Sequence, residues 1–141
     1  MNNEFQMDGS STPQWLFNVL DDQVLALTGQ RFQLDAAASD WNAKCQSYFD
    51  KRMDALQQDW SKWLRIFCNP PYDVDLASQF VAKGLGAAES GATVVFILPF
   101  WQRYPWFQEL KRRGQTQDII SIVSFERPDG SKFVLNKGKG I

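Results

Sequence analysis

The chain has 141 residues, a formal net charge of −1 and no histidine. The absence of histidine removes the commonest general base and the commonest transition-metal ligand, which disfavours triad hydrolysis and ordinary zinc chemistry. Since the net charge is close to zero, any affinity for nucleic acid must come from local clusters of basic residues.

The length and composition indicate one cytoplasmic globular domain without a metal site. No apolar run reaches the roughly 18 to 20 residues that span a bilayer, and residues 1–4 lack the basic start of a signal peptide. The two cysteines, Cys45 and Cys68, are too few for a disulfide framework and are predicted to pack as small apolar side chains. We expect a flexible N-terminus over residues 1–11 and a single domain over residues 12–141.

The first half of the chain predicts a helix, a strand and a long loop. Thr12 is the expected N-cap of the helix, with Pro13 at its first position. Four apolar residues of this helix should share one face: Trp15, Leu16, Val19 and Leu20. Residues 32–36 predict a short strand, and residues 40–61 predict a loop with a short helix near residues 54–58.

The second half alternates strands and helices and then adds two further strands. A buried strand is predicted over residues 64–68, and the helix after it is capped by Asp73 or Asp75 and ends near Glu89. A strand over residues 92–98 and a helix over residues 106–113 follow. The last predicted element is a hairpin of residues 119–125 and 132–135, which turns at Pro128-Asp129-Gly130. The apolar run over residues 92–98 is typical of a strand covered on both faces. This alternation predicts an α/β fold with a mostly parallel sheet and a C-terminal antiparallel hairpin.

The most informative segment is Asn69-Pro70-Pro71-Tyr72, which directly follows the strand over residues 64–68. Two successive prolines fix φ and lack backbone donors, and the first keeps the asparagine extended, so the loop is stiff. The Asn69 amide and the Pro70 carbonyl can then point at one planar group, beside the flat face of Tyr72. This combination favours methylation of a planar amino group; the alternative is a rigid loop that precedes a helix-capping aspartate.

A second loop, Asp35-Ala36-Ala37-Ala38, follows the strand that ends at Asp35 and is predicted to lie at the same edge of the sheet. Open parallel sheets bind ligands at the carboxyl ends of their strands. An acidic residue followed by small residues suits a nucleoside cofactor, because small side chains let a ligand approach closely. The loop has no glycine-rich fingerprint, so an ordinary turn from strand to helix explains it about as well.

Further motifs extend this pattern along the chain. In order, the series is Thr12-Pro13-Gln14-Trp15-Leu16-Phe17, Leu34-Asp35-Ala36-Ala37-Ala38, Asn42-Ala43-Lys44-Cys45 with Tyr48-Phe49, Asp54-Ala55-Leu56 with Asp59-Trp60, Cys68-Asn69-Pro70-Pro71-Tyr72, Gly91-Ala92-Thr93-Val94-Val95 with Leu98-Pro99, and Trp106-Phe107. With this series the chain resembles the phage-type DNA N6-adenine methyltransferases over roughly residues 12 to 110. Several spaced motifs in one order are far more specific than the tetrapeptide alone.

The resemblance implies a compact, reduced class I methyltransferase fold, a Rossmann-like three-layer sandwich. It implies transfer of a methyl group from S-adenosylmethionine to N6 of a flipped-out adenine in DNA, in the cytoplasm of a host if the protein is encoded by a phage or prophage. The implied catalytic residues are Asn69, Pro70, Pro71 and Tyr72. The implied cofactor residues are Thr12 and Pro13 near the methionine end, Asp35, Ala36 and Ala37 in the cofactor loop, Asp54 and Asp59 near the pocket, and Asn69.

Basic residues concentrate around the helix predicted over residues 106–113. The candidate contacts to DNA phosphates are Arg103, Lys111, Arg112 and Arg113. Aromatic residues flank the first of these, at Trp101, Tyr104 and Trp106, which mildly favours a nucleic-acid surface. The alternative is a solvated face with cations at a helix C-terminus.

Two other interpretations of the same loop stay open. Asn-Pro-Pro-Tyr also occurs in enzymes that methylate cytosine N4 or a glutamine side-chain amide, although the extended similarity favours adenine. A catalytically silent module of the same fold, which binds DNA or protein, is an interpretation from a different functional class.

Overall fold

The structure, a computed structural model, describes residues 12–39, 42–114, 123–126 and 132–135. The helices are α1 (Gln14–Thr28), α2 (Val74–Glu89) and α3 (Pro105–Arg113), and the strands are β1 (Leu34–Asp35), β2 (Ser47–Tyr48), β3 (Arg65–Cys68), β4 (Thr93–Phe96), β5 (Val123–Glu126) and β6 (Lys132–Leu135). Three short 3-10 helices, Lys51–Met53, Ala55–Gln57 and Trp60–Lys62, connect β2 to β3. Within these ranges no helix is long and apolar enough to cross a membrane. The predicted flexible N-terminus, residues 1–11, lies outside the described residues.

Strands β1 to β4 form one parallel sheet in the order β2-β1-β3-β4. Leu34 of β1 pairs with Ser47 on one side and with Ile66 on the other, and Phe67 pairs with Val95 of β4. Because all four strands run in one direction, their carboxyl ends meet at a single edge, and the loops that follow them lie together there. The predicted α/β class is therefore confirmed, and the parallel sheet is compatible with a Rossmann-like methyltransferase fold.

Alternate residues of β3 belong to hydrophobic clusters on opposite faces of the sheet. Phe67 packs against Phe17 of α1, with ring centroids 5.0 Å apart and the rings nearly perpendicular. Ile66 and Cys68 belong to the other cluster, together with Phe80 of α2. Helix α1 therefore covers one face and α2 covers the other, which gives three layers.

Helix α1 begins after the position that the sequence predicted. Pro13 takes the N-cap position, has an extended ψ of 141° and makes no side-chain cap bond. Its carbonyl accepts hydrogen bonds from the N–H groups of Leu16 and Phe17. The Thr12 hydroxyl bonds to the side chain of Asn69 instead, so the prediction that Thr12 caps the helix is wrong.

The apolar face predicted for α1 is buried only in part. Leu16 is buried together with Phe17 and Val24, and Leu20 packs against the same cluster. Trp15 and Val19, predicted on the same face, are 54% and 46% exposed. The helix carries more apolar residues than the sheet can cover, and packing against β3 selects one stripe of them.

The segment between β1 and β3 contains more regular structure than the predicted loop with one short helix. Strand β2 has only two residues, and its end is held by bonds from Phe49 N–H to the Asp35 carbonyl (3.0 Å) and from Ala38 N–H to the Phe49 carbonyl (2.9 Å). Two residues are too few to show the alternation that predicts a strand. The predicted short helix is present as the 3-10 helix Ala55–Gln57.

The helices and strands between residues 64 and 113 match the predictions closely, with one difference in burial. Helix α2 is capped by Asp73, whose carboxylate accepts a hydrogen bond from the N–H of Leu76 at 2.9 Å. The four residues of β4 are only half-buried. Val94 and Phe96 nevertheless pack against one hydrophobic cluster and Val95 against the other, so both faces are covered as predicted, although only in part because β4 lies at an edge of the described sheet.

Strands β5 and β6 pair antiparallel with each other, with Val123 opposite Leu135. They form a separate two-stranded sheet, and no described residue joins them to the parallel sheet. Residues 119–122 and the predicted turn at 127–131 lie outside the described residues. The hairpin as a whole therefore stays a prediction.

Candidate functional site

A cleft opens at the carboxyl edge of the parallel sheet, where the loops after β1, β2 and β3 meet. It encloses about 840 Å³ of space, a figure that includes open solvent at its mouth. The residues that line it are 36–38, 49–51, 54–56 and 69–72, with Leu76 and Phe80 of α2. The structure thus brings the two loops singled out in the sequence, after β1 and after β3, around one cavity.

Asn69 lines this cleft and carries one acceptor without a partner among the described residues. Its Nδ2 donates a hydrogen bond to Thr12 Oγ1 at 3.0 Å. Its Oδ1 is buried and has no hydrogen-bond partner among the described residues. A buried carbonyl oxygen without a partner is costly, and at a cavity the missing bond can come from water or from a ligand that carries an N–H or O–H group.

Tyr72 lines the cleft beside Asn69 and is held from behind by an aromatic residue of the next loop. Its ring lies 6.2 Å from the ring of Trp101 and nearly perpendicular to it. Burial raises the pKa of the Tyr72 phenol above its ordinary value, so the hydroxyl stays neutral at physiological pH. The ring is therefore suited to packing against a flat ligand and not to acting as a base.

Asp35 lies beneath the loop after β1, and its side chain does not line the cleft. Its carboxylate accepts hydrogen bonds from the backbone N–H groups of Lys44 at 3.0 Å and Ala37 at 3.3 Å. Burial raises the pKa of Asp35 to about 6, because loss of hydration outweighs these bonds. The carboxylate thus ties the residues before β2 to the alanine loop, whereas Ala36 and Ala37 form the wall of the cleft.

The raised pKa of Asp35 predicts a pH-dependent loss of stability. The folded state holds the proton up to about pH 6, whereas an unfolded aspartate loses it near pH 4, so the free energy of unfolding falls as pH rises between these values. We expect the stability of the wild type relative to Asp35→Asn to fall by up to about 3 kcal/mol from pH 4 to pH 7, measured by urea unfolding at each pH. Asp75→Asn removes an exposed carboxylate as a control. Parallel curves for wild type and Asp35→Asn would contradict the prediction.

Asp50 is a cleft residue that the sequence interpretation missed. It follows β2 at the same sheet edge and is almost fully buried. The guanidinium of Arg52, at 3.0 Å, lowers the pKa of Asp50 and keeps it ionised, and the backbone N–H groups of Arg52 and Met53 also donate to the carboxylate. The sequence does show an aspartate directly after Tyr48-Phe49. Its place in the cleft could be recognised only once Ser47–Tyr48 was known to form strand β2.

Asp54 and Asp59, both predicted to lie near the cofactor, are placed differently. Asp54 lines the cleft and has a φ of 51°, a left-handed conformation that is uncommon outside glycine and often occurs at functional sites. Asp59 is not among the residues that line the cleft. Its carboxylate caps a 3-10 helix by accepting bonds from the backbone N–H and the hydroxyl of Ser61.

The other predicted cofactor residues, Thr12 and Pro13, are buried next to Asn69 and do not line the cleft. The two cysteines also contribute no reactive group. Burial raises the pKa of the Cys45 thiol to about 12, and it raises the pKa of Cys68 further, so both thiols stay protonated. The predicted packing role of the cysteines agrees with their location, since Cys68 belongs to the core between β3 and α2.

Two of the four candidate DNA-binding cations are paired with acidic residues. Arg112 forms an ion pair with Glu109 one turn earlier on α3. Arg113 lies 3.1 Å from Glu89 at the end of α2. Both cations are exposed, so these pairs add little stability and reduce the local positive charge.

The other two candidate cations contact aromatic rings. The guanidinium of Arg103 lies 5.2 Å from the ring centroid of Tyr104, and the ammonium of Lys111 lies 4.8 Å from that of Phe100. Neither has an acidic partner within 4 Å in the part of the chain that the structure describes. Arg103 lies two residues after Trp101, which contacts Tyr72, so this unpaired charge is close to the loop that forms the cleft.

Comparisons with known proteins agree with this arrangement. The family model of DNA N-6-adenine-methyltransferase (Dam) matches residues 3–136 of the chain. A curated protein of Escherichia phage T1, named DNA N-6-adenine-methyltransferase, is 26% identical over 130 residues, which cover 89% of this chain and 54% of the phage protein. The chain therefore spans about half the length of that relative. No solved structure matches the chain. Since the family model covers nearly the whole sequence, the chain belongs to the DNA N-6-adenine-methyltransferase (Dam) family.

Proposed function

We propose that this chain transfers a methyl group from S-adenosylmethionine to N6 of an adenine flipped out of DNA. The observation that carries the proposal is Asn69 Oδ1, a buried acceptor at the cleft without a partner among the described residues. An exocyclic amino group supplies the donor that this oxygen lacks. Membership of the family, together with the name of the phage T1 relative, favours the amino group of adenine.

The cleft has the features that the methyl donor requires. Ala36 and Ala37 form a wall of small side chains that a nucleoside can approach closely, and Asp54 adds a carboxylate that can accept hydrogen bonds from hydroxyl groups. S-adenosylmethionine, when bound, supplies a methyl group that is already a good electrophile, so the protein mainly has to bind and align the reactants.

The residues after β3 would hold the target base. Asn69 Oδ1 and the Pro70 carbonyl each accept a hydrogen bond from the amino group, which favours a more nucleophilic, pyramidal nitrogen. Tyr72 packs against the base plane, with Trp101 supporting the ring from behind. N6 is paired inside a duplex, so the adenine must leave the stack to reach these groups. We assign no general base, since the chain has no histidine and Asp35 is engaged beneath the loop.

We propose that Arg103, Lys111, Arg112 and Arg113 contact DNA phosphates, with the first two contributing most. We expect Arg103→Ala with Lys111→Ala to reduce the slope of log affinity against log salt by up to about 2, because each phosphate contact contributes roughly 0.9 to that slope. Fluorescence anisotropy with a labelled duplex between 50 and 300 mM salt, an order-of-magnitude working range, measures the slope.

The matched control for this measurement is Arg112→Ala with Arg113→Ala. This double variant removes two positive charges, as the first one does. Arg112 and Arg113, however, already have acidic partners. Its effect on the slope should therefore be smaller. If neither double variant changes the slope, the basic residues form an ordinary solvated face.

The proposed function is tested by cofactor titration followed by a transfer assay. Isothermal titration calorimetry should show binding of S-adenosylmethionine, and DNA incubated with the tritiated-methyl cofactor should yield labelled N6-methyladenine nucleoside after digestion. The same duplex with purine lacking the 6-amino group in place of adenine should stay unlabelled. Absence of binding at about 1 mM cofactor, a free energy of about −4 kcal/mol, would leave only a silent binding module. Label on cytosine or on protein would instead identify another target nitrogen.

A further inference from the structure

The hydrogen bond between Thr12 and Asn69 joins residues that are 57 positions apart in the chain. Thr12 is almost fully buried and directly precedes Pro13, the N-cap residue of α1. A threonine near a helix start commonly caps the helix, yet α1 has no side-chain cap bond. The hydroxyl is used to hold a side chain of the candidate site instead.

An asparagine amide that must accept a hydrogen bond from a substrate has to be held in one rotamer. In the observed arrangement Nδ2 donates to Thr12 Oγ1, and Oδ1 has no partner among the described residues. A threonine hydroxyl can accept from an amide nitrogen or donate to an amide oxygen, so this contact fixes the position of the Asn69 side chain and does not by itself select one end of the amide.

We infer that Thr12 is a positioning residue, which holds the Asn69 side chain in the rotamer that brings its amide to the target amino group. This inference rests on the proposed function for its catalytic consequence. It differs from the role that the family resemblance implies for Thr12, which is contact with the cofactor. The two roles predict different kinetics.

The main test uses Thr12→Val, which keeps the shape of the side chain and removes the hydroxyl. The Asn69 side chain then loses its hydrogen bond to Thr12, so rotamers other than the observed one become accessible. We expect the kcat for methyl transfer to fall about tenfold or more, as misplaced catalytic groups commonly show. The Kd for S-adenosylmethionine and the KM for DNA should change by less than about threefold. Thr12→Ser, which keeps the hydroxyl, should restore most of the kcat.

A second background distinguishes positioning of Asn69 from a general loss of packing. Asn69→Ala removes the amide that Thr12 holds. In this background Thr12→Val should lower the residual kcat by less than about threefold, and the two substitutions should therefore be clearly non-additive. An equal loss in both backgrounds would overturn the inference.

The inference can also be tested without activity. Nitrogen-15 NMR should show one sharp pair of Asn69 side-chain NH2 resonances in the wild-type protein, identified by its absence in Asn69→Ala, and this pair should shift or broaden in Thr12→Val. If the wild type transfers no methyl group but this coupling is present, the proposed function fails and the contact stands. If Thr12→Val does not fold, Thr12→Ala takes its place with the same expected results.

Two outcomes would overturn the positioning role directly. One is an unchanged Asn69 NH2 signal in a folded Thr12 variant. The other is a Kd for S-adenosylmethionine that rises about tenfold while kcat at saturating cofactor is unchanged. The second result would place the Thr12 hydroxyl in the cofactor site.

Discussion

Replacement of Asn69 by alanine is expected to lower the kcat for methyl transfer by at least about a hundredfold, the loss that accompanies removal of one preorganised polar group at a reacting centre. The variant loses the buried, unpartnered Oδ1 of a residue that lines the cleft. The cofactor Kd should change by less than about fivefold, because the alanine wall formed by the loop after β1 is untouched. Single-turnover transfer with saturating cofactor measures the first quantity, and calorimetry measures the second.

Asn18→Ala is the matched control for this prediction. Asn18 is an exposed residue of α1 whose side chain bonds only to Gln14 among the described residues. The same chemical change there should leave kcat within about twofold, as for most surface substitutions. Equal losses of transfer and cofactor affinity in Asn69→Ala would indicate that the asparagine mainly supports the loop.

The sequence predicted the site best where the chain itself restricts the backbone. Two prolines after an apolar strand define a stiff loop in any context, and the parallel alternation of strands and helices places such a loop at the carboxyl edge. The structure places the 69–72 loop and the alanine loop after β1 around one cleft. Both facts follow from local sequence and from a general rule of sheet topology.

Residues whose role depends on pairing between distant segments could not be predicted in this way. Strand β2 has two residues and exists because the backbone of Phe49 bonds to β1. Without that strand, Asp50 is one acidic residue among several in a polar segment. Once β2 is placed beside β1, the aspartate that follows it falls among the residues that line the cleft.

Thr12 and Asp35 show a related limit. Both residues were predicted to serve the cofactor, and both are buried with their oxygens bonded to other parts of the site, Thr12 to Asn69 and Asp35 to the N–H groups of Ala37 and Lys44. A motif in a sequence identifies which residues belong to a site. It does not distinguish those that touch a ligand from those that hold the contacting residues in place.

The alanine wall of the cleft gives the second large effect. Ala37 is half-buried and lines the cavity, and its backbone N–H is bonded to Asp35, so a larger side chain would enter the cleft without loss of that bond. We expect Ala37→Leu to raise the Kd for S-adenosylmethionine at least about tenfold, which corresponds to about 1.4 kcal/mol of lost binding. Isothermal titration calorimetry measures this change directly. The melting temperature should shift by only a few degrees, because most of the added side chain occupies open space.

Ala82→Leu provides the comparison. Ala82 lies on the exposed side of α2, so this substitution adds the same three carbons away from the cleft. Its cofactor affinity should equal that of the wild type. If Ala37→Leu binds the cofactor as tightly as Ala82→Leu does, the donor does not lie against the loop after β1. The assignment of the cofactor to this wall would then be wrong. The role of Asn69 would not be affected, because Asn69→Ala tests it separately. The two substitutions therefore separate the two halves of the cleft, because Ala37 affects binding of the donor and Asn69 affects the transfer step.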